Sequence, residues 1–219
     1  MNWCTSALAG LALMVGASAA DANVIDFTNA GTGTSGTILN GSVSWTMDAS
    51  GYLNNTQAFD GNSAPSGSGL SFQTDGYGVG MHDDEITTVN SNEFEWIRVT
   101  FSAPVMVNAI YFLDLFQASD GSSQEIGVAS INGGYPIISL YANDIAGSGA
   151  AGFVGASFAA IAVTEIFFTV LSSNDNLGFA DGALAGIGFV APVPLPAAGL
   201  LLLGGLGGLA AVRRRRKAA

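Results

Sequence analysis

The sequence predicts an all-β domain, an antiparallel β-sandwich, set between an N-terminal signal peptide and one C-terminal transmembrane helix. Three observations carry this prediction. Short β-branched and aromatic runs recur through the middle of the chain, separated by clusters of Gly, Asn, Asp and Ser. No stretch of that middle sustains the periodicity of an amphipathic helix. Both ends are apolar, and the second is followed by a block of arginines.

Residues 1–22 read as a secretory signal. Residues 7–17 form an apolar core too short to span a bilayer. Small residues in A-x-A order follow at Ala17-Ser18-Ala19 and again at Ala20-Asp21-Ala22. Cleavage by signal peptidase after Ala22 leaves a mature chain, residues 23–191 plus the tail, that opens directly into a strand-like run at 24–28. Further runs follow at 37–47, 69–74, 94–101, 105–116, 125–131, 136–142, 163–171 and 183–190. Short strands at this spacing favour antiparallel pairing over a parallel sheet, whose strands would alternate with helices.

Some of these runs are apolar on both faces. In 105–113, Val105, Val107, Ala109 and Tyr111 alternate with Met106, Ile110 and Phe112. Ile166, Phe168 and Val170 likewise alternate with Phe167 and Leu171. Such strands belong at the centre of a sandwich whose outer face is partly covered by loops. Residues 143–160 are rich in Gly and Ala and form a loop or a weak strand. Gly147, Gly149, Gly152 and Gly155 disfavour a helix there.

Charge excludes one class of partner. All 17 acidic residues lie between Asp21 and Asp181, where Arg98 is the only basic residue. A field of that sign repels nucleic acid and anionic lipid and favours cations or uncharged partners. The single cysteine, Cys4, falls inside the signal, so no disulfide framework stabilises the mature domain. With His82 as the only histidine, the His-rich zinc patterns are excluded too.

The C-terminal tail spans residues 192–219. Val193-Pro194-Leu195-Pro196-Ala197 opens an uncharged stretch that continues to Val212 and ends at Arg213, Arg214, Arg215, Arg216 and Lys217. As a helix, residues 193–212 extend ~30 Å, about one hydrocarbon core. The basic block at 213–217 stays on the cytoplasmic side, which puts the acidic domain outside. The order of motif, helix (about 197–212) and basic end resembles the PEP-CTERM family of sorting signals, most closely its VPLPA variant. That resemblance implies recognition by an exosortase-type membrane protease and sorting to the cell surface or into extracellular polysaccharide. The alternative is an ordinary membrane anchor with the same topology. Within the domain, DGYGVGMHDDEI, APVMVNAIYFLDLF and the final VTEIFFTVLSSNDNLGFADGALAGI also look like exported PEP-CTERM proteins. For those the resemblance implies a jelly-roll ectodomain.

Several constellations could carry chemistry. Asp75, Asp83, Asp84 and Glu85 crowd together among Gly76, Gly78 and Gly80, a loop able to curl around calcium, although its spacing is not that of an EF-hand. The plainer reading is a solvated acidic turn. Asn174, Asp175, Asn176 and Asp181 form a second, turn-like candidate. Glu93 and Glu95 share a strand face with carboxylates ~6.5–7 Å apart, a separation that overlaps an inverting glycosidase pair. Trp96 and Arg98 point the same way along a strand and, with Trp45, offer either a sugar-stacking platform or core packing. Nucleophilic catalysis finds no footing, since Gly155-Ala156-Ser157-Phe158-Ala159 lacks the last glycine of a nucleophile elbow. The expectation is a non-enzymatic surface or matrix protein associated with extracellular polysaccharide, structurally aided by calcium. An exported polysaccharide hydrolase and a protein-binding adhesin are the alternatives.

Overall fold

The computed structural model describes residues 22–80, 84–90, 93–134, 136–172 and 180–190. Residues 1–21 of the signal, the whole sorting tail with Val193–Ala197 and Arg213–Arg216, and His82, Asp83, Asn174, Asp175 and Asn176 lie outside these residues.

Every regular element among the described residues is a β-strand. In chain order they are β1 (Ala22–Asp26), β2 (Ser35–Ile38), β3 (Val43–Ala49), β4 (Leu53–Asn54), β5 (Gly78–Val79), β6 (Thr88–Asn90) and β7 (Glu93–Phe94). There follow β8 (Ile97–Leu113), β9 (Phe116–Gln117), β10 (Glu125–Ile131), β11 (Ile137–Tyr141), β12 (Asp144–Ile145), β13 (Val154–Ser172) and β14 (Ala183–Val190). Strand pairing is antiparallel except between the short β9 and β12. The predicted all-β, antiparallel class therefore holds.

Eight strands join in one sheet, and its spine is the pair β8–β13, in register from Ile97↔Phe168 to Val154↔Phe112. The free edge of β8 takes β3 along 97–101 and then β14 along 106–113. Pro104 sits where one partner hands over to the other. A residue with no N–H is tolerated there because no ladder bond is required of it. The spine thus carries two wings, one of β2, β3, β10 and β11 and one of β1 and β14. The wings share one core. Phe27, just past β1, meets Trp45 of β3 edge-on with centroids 5.5 Å apart, and Phe112 meets Phe168 at 6.0 Å.

The strands predicted at 94–101 and 105–116 are one strand, and the one at 163–171 starts nine residues earlier, inside the Gly/Ala-rich segment. The run 37–47 is a hairpin, turned at Leu39, Asn40 and Gly41, all with positive φ. Residues 69–74 form no strand. They belong to the long connection 55–77, which the end of β1 ties down. Asp26 accepts from the amides of Thr28 and Ser71, both at 2.9 Å, and Thr28 Oγ1 accepts from Phe72 N at 2.9 Å. Alternation in 105–113 also breaks. Asn108 is an extra residue in the ladder, since Gly188 pairs with Ala109 but Phe189 with Val107. That bulge turns Ile110 and Phe112 into the same core as Val105 and Val107. Tyr111 and Leu113 face outward, where Phe59, Leu70 and Phe72 of the connection cover them with Phe153. The outer face of the smaller wing is therefore loop-covered, as the double-sided strands suggested.

Candidate metal centre

The connection 55–77 that covers Tyr111 and Leu113 also carries two aspartates to the end of β8. Asp75 is placed by its successors. Tyr77 and Leu184 exchange backbone hydrogen bonds at 3.0 and 2.9 Å, and between them Gly76 adopts φ +112. A Cβ on Gly76 would lie 2.4 Å from the Leu184 carbonyl oxygen, so only glycine brings the chain this close. Asp114 ends β8 at φ 58, with its amide on Ala151 O at 3.2 Å and that of Leu115 on Gly152 O at 3.0 Å. Asp60 rides on the same turn, because Asn62 N donates to Gly149 O at 2.9 Å.

These three segments bring Asp60, Asp75 and Asp114 together, with one carboxylate oxygen from each lying within 4.8 Å of the others. Asp60 is exposed, whereas Asp75 and Asp114 are 1 % and 4 % exposed. Both oxygens of Asp75 and Oδ2 of Asp114 are buried without a hydrogen-bond partner. Burial, then the charge of Asp60, pushes the Asp75 carboxyl up to about 7, the Asp60 backbone amide relieving only part of this. Asp114 is pushed up to about 8 by burial, then by Asp75, Asp60, Asp181 and Asp84. The acidity extends beyond the three. Glu125, itself buried, accepts from Phe116 N at 2.6 Å and is held well above the usual carboxylate range by burial and by Asp181.

Of the residues singled out from the sequence, the structure keeps Asp75 at this centre and leaves Asp84 beside it as a contributing charge. Glu85 stands outside the group, its carbonyl accepting from Val79 N at 3.0 Å. Asp83 lies outside the described residues. Among the described residues of the acidic loop, Asp75 therefore belongs to a group assembled from distant segments. Asp60 and Asp114 were missed, although Asp114 carried a signal: it is the one charge inside the apolar run Phe112-Leu113-Asp114-Leu115-Phe116, and burying that run buries its carboxylate. Asp181 acts on Asp114 through its charge and on Glu125 through both its charge and hydrogen bonds.

The other candidates separate cleanly. Trp45 is core. Glu95 is buried and accepts from Thr87 N at 2.9 Å, a structural role rather than half of a cleft pair. Trp96 and Arg98 stay on the outer face of the larger wing. There Trp96 stacks on Phe167 at 5.3 Å with 28° between the planes, and the Arg98 guanidinium lies 5.7 Å from the Trp96 centroid. Arg98 Nε donates to Asp48 Oδ1 at 2.9 Å, and a second arm reaches toward Glu165 at 3.9 Å. The face continues from Leu171 of β13 across β10 to Ile137 and Tyr141 of β11, all three exposed. On the other wing, a cleft of about 510 Å³ is lined by Asn23, Asp26, Asn108, Tyr111 and Ser157 among others. Comparison with known protein families, with curated proteins and with solved structures finds no match for this chain.

Proposed function

We propose that this chain is an exported protein of the cell envelope whose domain associates with extracellular polysaccharide and catalyses no reaction. In this reading signal peptidase cuts near Ala20 and Ala22, the helix at about 197–212 holds the chain in the membrane, and an exosortase-type protease acts at the VPLPA motif. The domain is a jelly-roll-like β-sandwich, its two wings serving as layers that share the spine strands β8 and β13.

The observation that carries the polysaccharide reading is the half-buried Trp96 on the outer face of the larger wing. A flat indole stacked on Phe167 and bordered by Arg98, Asp48 and Glu165 offers an apolar plane for a sugar ring with polar groups at its rim. A polymer can lie along an open sheet face of this kind. The reading as a hydrolase draws on the raised carboxyls of Asp75 and Asp114, which resemble general acids. Their burial argues against it, since a polymer cannot reach them. Asp26, the carboxylate of the 510 Å³ cleft, has both oxygens engaged by Thr28 and Ser71.

Two measurements test the proposal. On a glycan array, the full-length chain in detergent should bind a polysaccharide class, and Trp96→Ala should lose about tenfold or more of that binding. Binding unaffected by Trp96→Ala, or no glycan bound at all, would remove the platform and favour an adhesin. Mass spectrometry of surface-released protein should find a C-terminus near residues 193–197. An intact Arg216-Lys217 end would leave a plain anchor.

A further inference from the structure

We infer that Asp60, Asp75 and Asp114 form the site of one divalent cation of the calcium class, held between the end of β8 and the connection 55–77. This inference is independent of the polysaccharide reading. Two observations point to an ion, and neither depends on the other.

The first is spacing. Two oxygens bound to one calcium at 2.3–2.6 Å can be no farther apart than about 4.6–5.2 Å. The three carboxylate oxygens here fall within 4.8 Å of one another. The second is unmet bonding. Asp75 Oδ1, Asp75 Oδ2 and Asp114 Oδ2 are sealed from solvent without a hydrogen bond, the nearby Asp60 amide falling outside hydrogen-bond geometry, a condition that native structures otherwise avoid. A cation among the three aspartates would give the buried carboxylates of Asp75 and Asp114 the partner they lack.

The donors decide the class of ion. All are carboxylate oxygens, hard ligands that suit calcium or magnesium rather than zinc or copper. Asp60 is exposed, so one side of the site is open for ion entry and for the water ligands that complete a coordination shell. Asp84 and Asp181 stand farther out and add negative field. The only Lys or Arg between residues 22 and 190 is Arg98, which is engaged by Asp48 and Glu165. Without an ion, the buried carboxylates of Asp75 and Asp114 have Asp60 and each other as charged neighbours. With one, two points of the connection and the end of β8 become cross-linked.

The test uses the full-length chain in detergent, stripped with chelator and then titrated with calcium chloride by calorimetry. One calcium per chain is expected. At a hundredfold excess over Kd the melting temperature should rise by about 5–10 °C relative to chelator. Magnesium chloride should bind about tenfold or more weakly, because a site that keeps its waters suits it better. Asp75→Asn and Asp114→Asn should melt in chelator no lower than wild type, since each replaces a carboxyl group that is buried without a partner. Both should lose about tenfold or more in calcium affinity together with the thermal shift. Should a buried variant fail to fold, exposed Asp60→Asn supplies the same reading. The inference is overturned if wild type melts identically in calcium and chelator, if the Asn variants bind calcium as tightly as wild type, or if magnesium binds as well as calcium.

Discussion

Around Arg98, carboxylates meet a guanidinium in the open, with Asp48 held through two hydrogen bonds and Glu165 leaning in from the next strand. Around Asp75, two buried carboxylates meet each other and the exposed Asp60, and no Lys or Arg among the described residues stands beside them. The first cluster would lose little if its charges parted, because water would solvate each one. The second has no such recourse, since an ionised carboxylate in a dry site is very unfavourable until something neutralises it. The contrast shows where this fold depends on its environment. Its one cation serves the surface, and the interior is left to protons or to an ion from outside.

The largest effect is expected where backbone, not charge, holds the buried cluster together. Gly76→Ala adds a Cβ 2.4 Å from Leu184 O at a φ of +112. The left-handed penalty and the overlap together should destabilise by about 3 kcal/mol or more. Gly41→Ala is the matched control. It has φ +82 in the β2–β3 hairpin with nothing within 4 Å of its Cβ, so only the conformational penalty of about 1 kcal/mol applies. Urea unfolding of the two variants checks the difference. Equal losses would mean that the close approach at Leu184 does not support the Asp75 segment.

How far the sequence reveals these two regions follows from the range of the contacts that build them. The strands 125–131 and 183–190 were legible at their observed limits because each is a short β-branched and apolar run between turn residues. The hairpin at Asn40-Gly41 was legible and overlooked, since an Asn-Gly pair between alternating runs is a strong turn signal. The start of β13 at Val154 was legible only as one of two alternatives, since residues 143–160 read as a loop or a weak strand. Its first half pairs on one side only and tolerates Gly, Ala and Ser that no propensity would place in a strand. The nearness of Trp96 and Arg98 was readable because they lie two residues apart at the entry to β8, where period two puts them on one face. The buried triad was not, because Asp60, Asp75 and Asp114 meet only after the connection folds over β8. Adjacency in sequence instead singled out Asp83 to Glu85.

A second, smaller effect should appear as pH changes in chelator. Asp75 and Asp114 keep their protons up to about 7 and about 8 when folded, and Glu125 also binds its proton more tightly than an ordinary carboxyl. Unfolded, these groups release protons near the ordinary values of 3.8 and 4.5. The folded state therefore holds more protons across that interval, and stability must fall as pH rises through it. The contribution is complete below about pH 4 and is lost progressively by about pH 8. Melting temperature in chelator should decline from pH 5 to pH 8. Glu125→Gln, which keeps an acceptor for Phe116 N, should make the decline shallower. A flat profile in wild type would show that these carboxyls titrate no differently folded than unfolded.

The smallest effect belongs to the exposed cluster, and its smallness is the other half of the comparison. Arg98→Met removes the guanidinium but keeps much of the aliphatic stem lying near Trp96. Asp48 and Glu165 are then left unpaired, yet both reach solvent, so neither becomes a buried charge. The melting temperature should move by less than about 3 °C, and that change should shrink further in 1 M salt, where surface attraction is screened. The calcium response of the buried site should be unchanged, because the two clusters share no partner among their hydrogen bonds and ion pairs. Differential scanning calorimetry at low and high salt, with and without calcium, measures both quantities on one variant. A large loss of stability, or a calcium response altered by Arg98→Met, would show that the domain's one cation also steadies its interior.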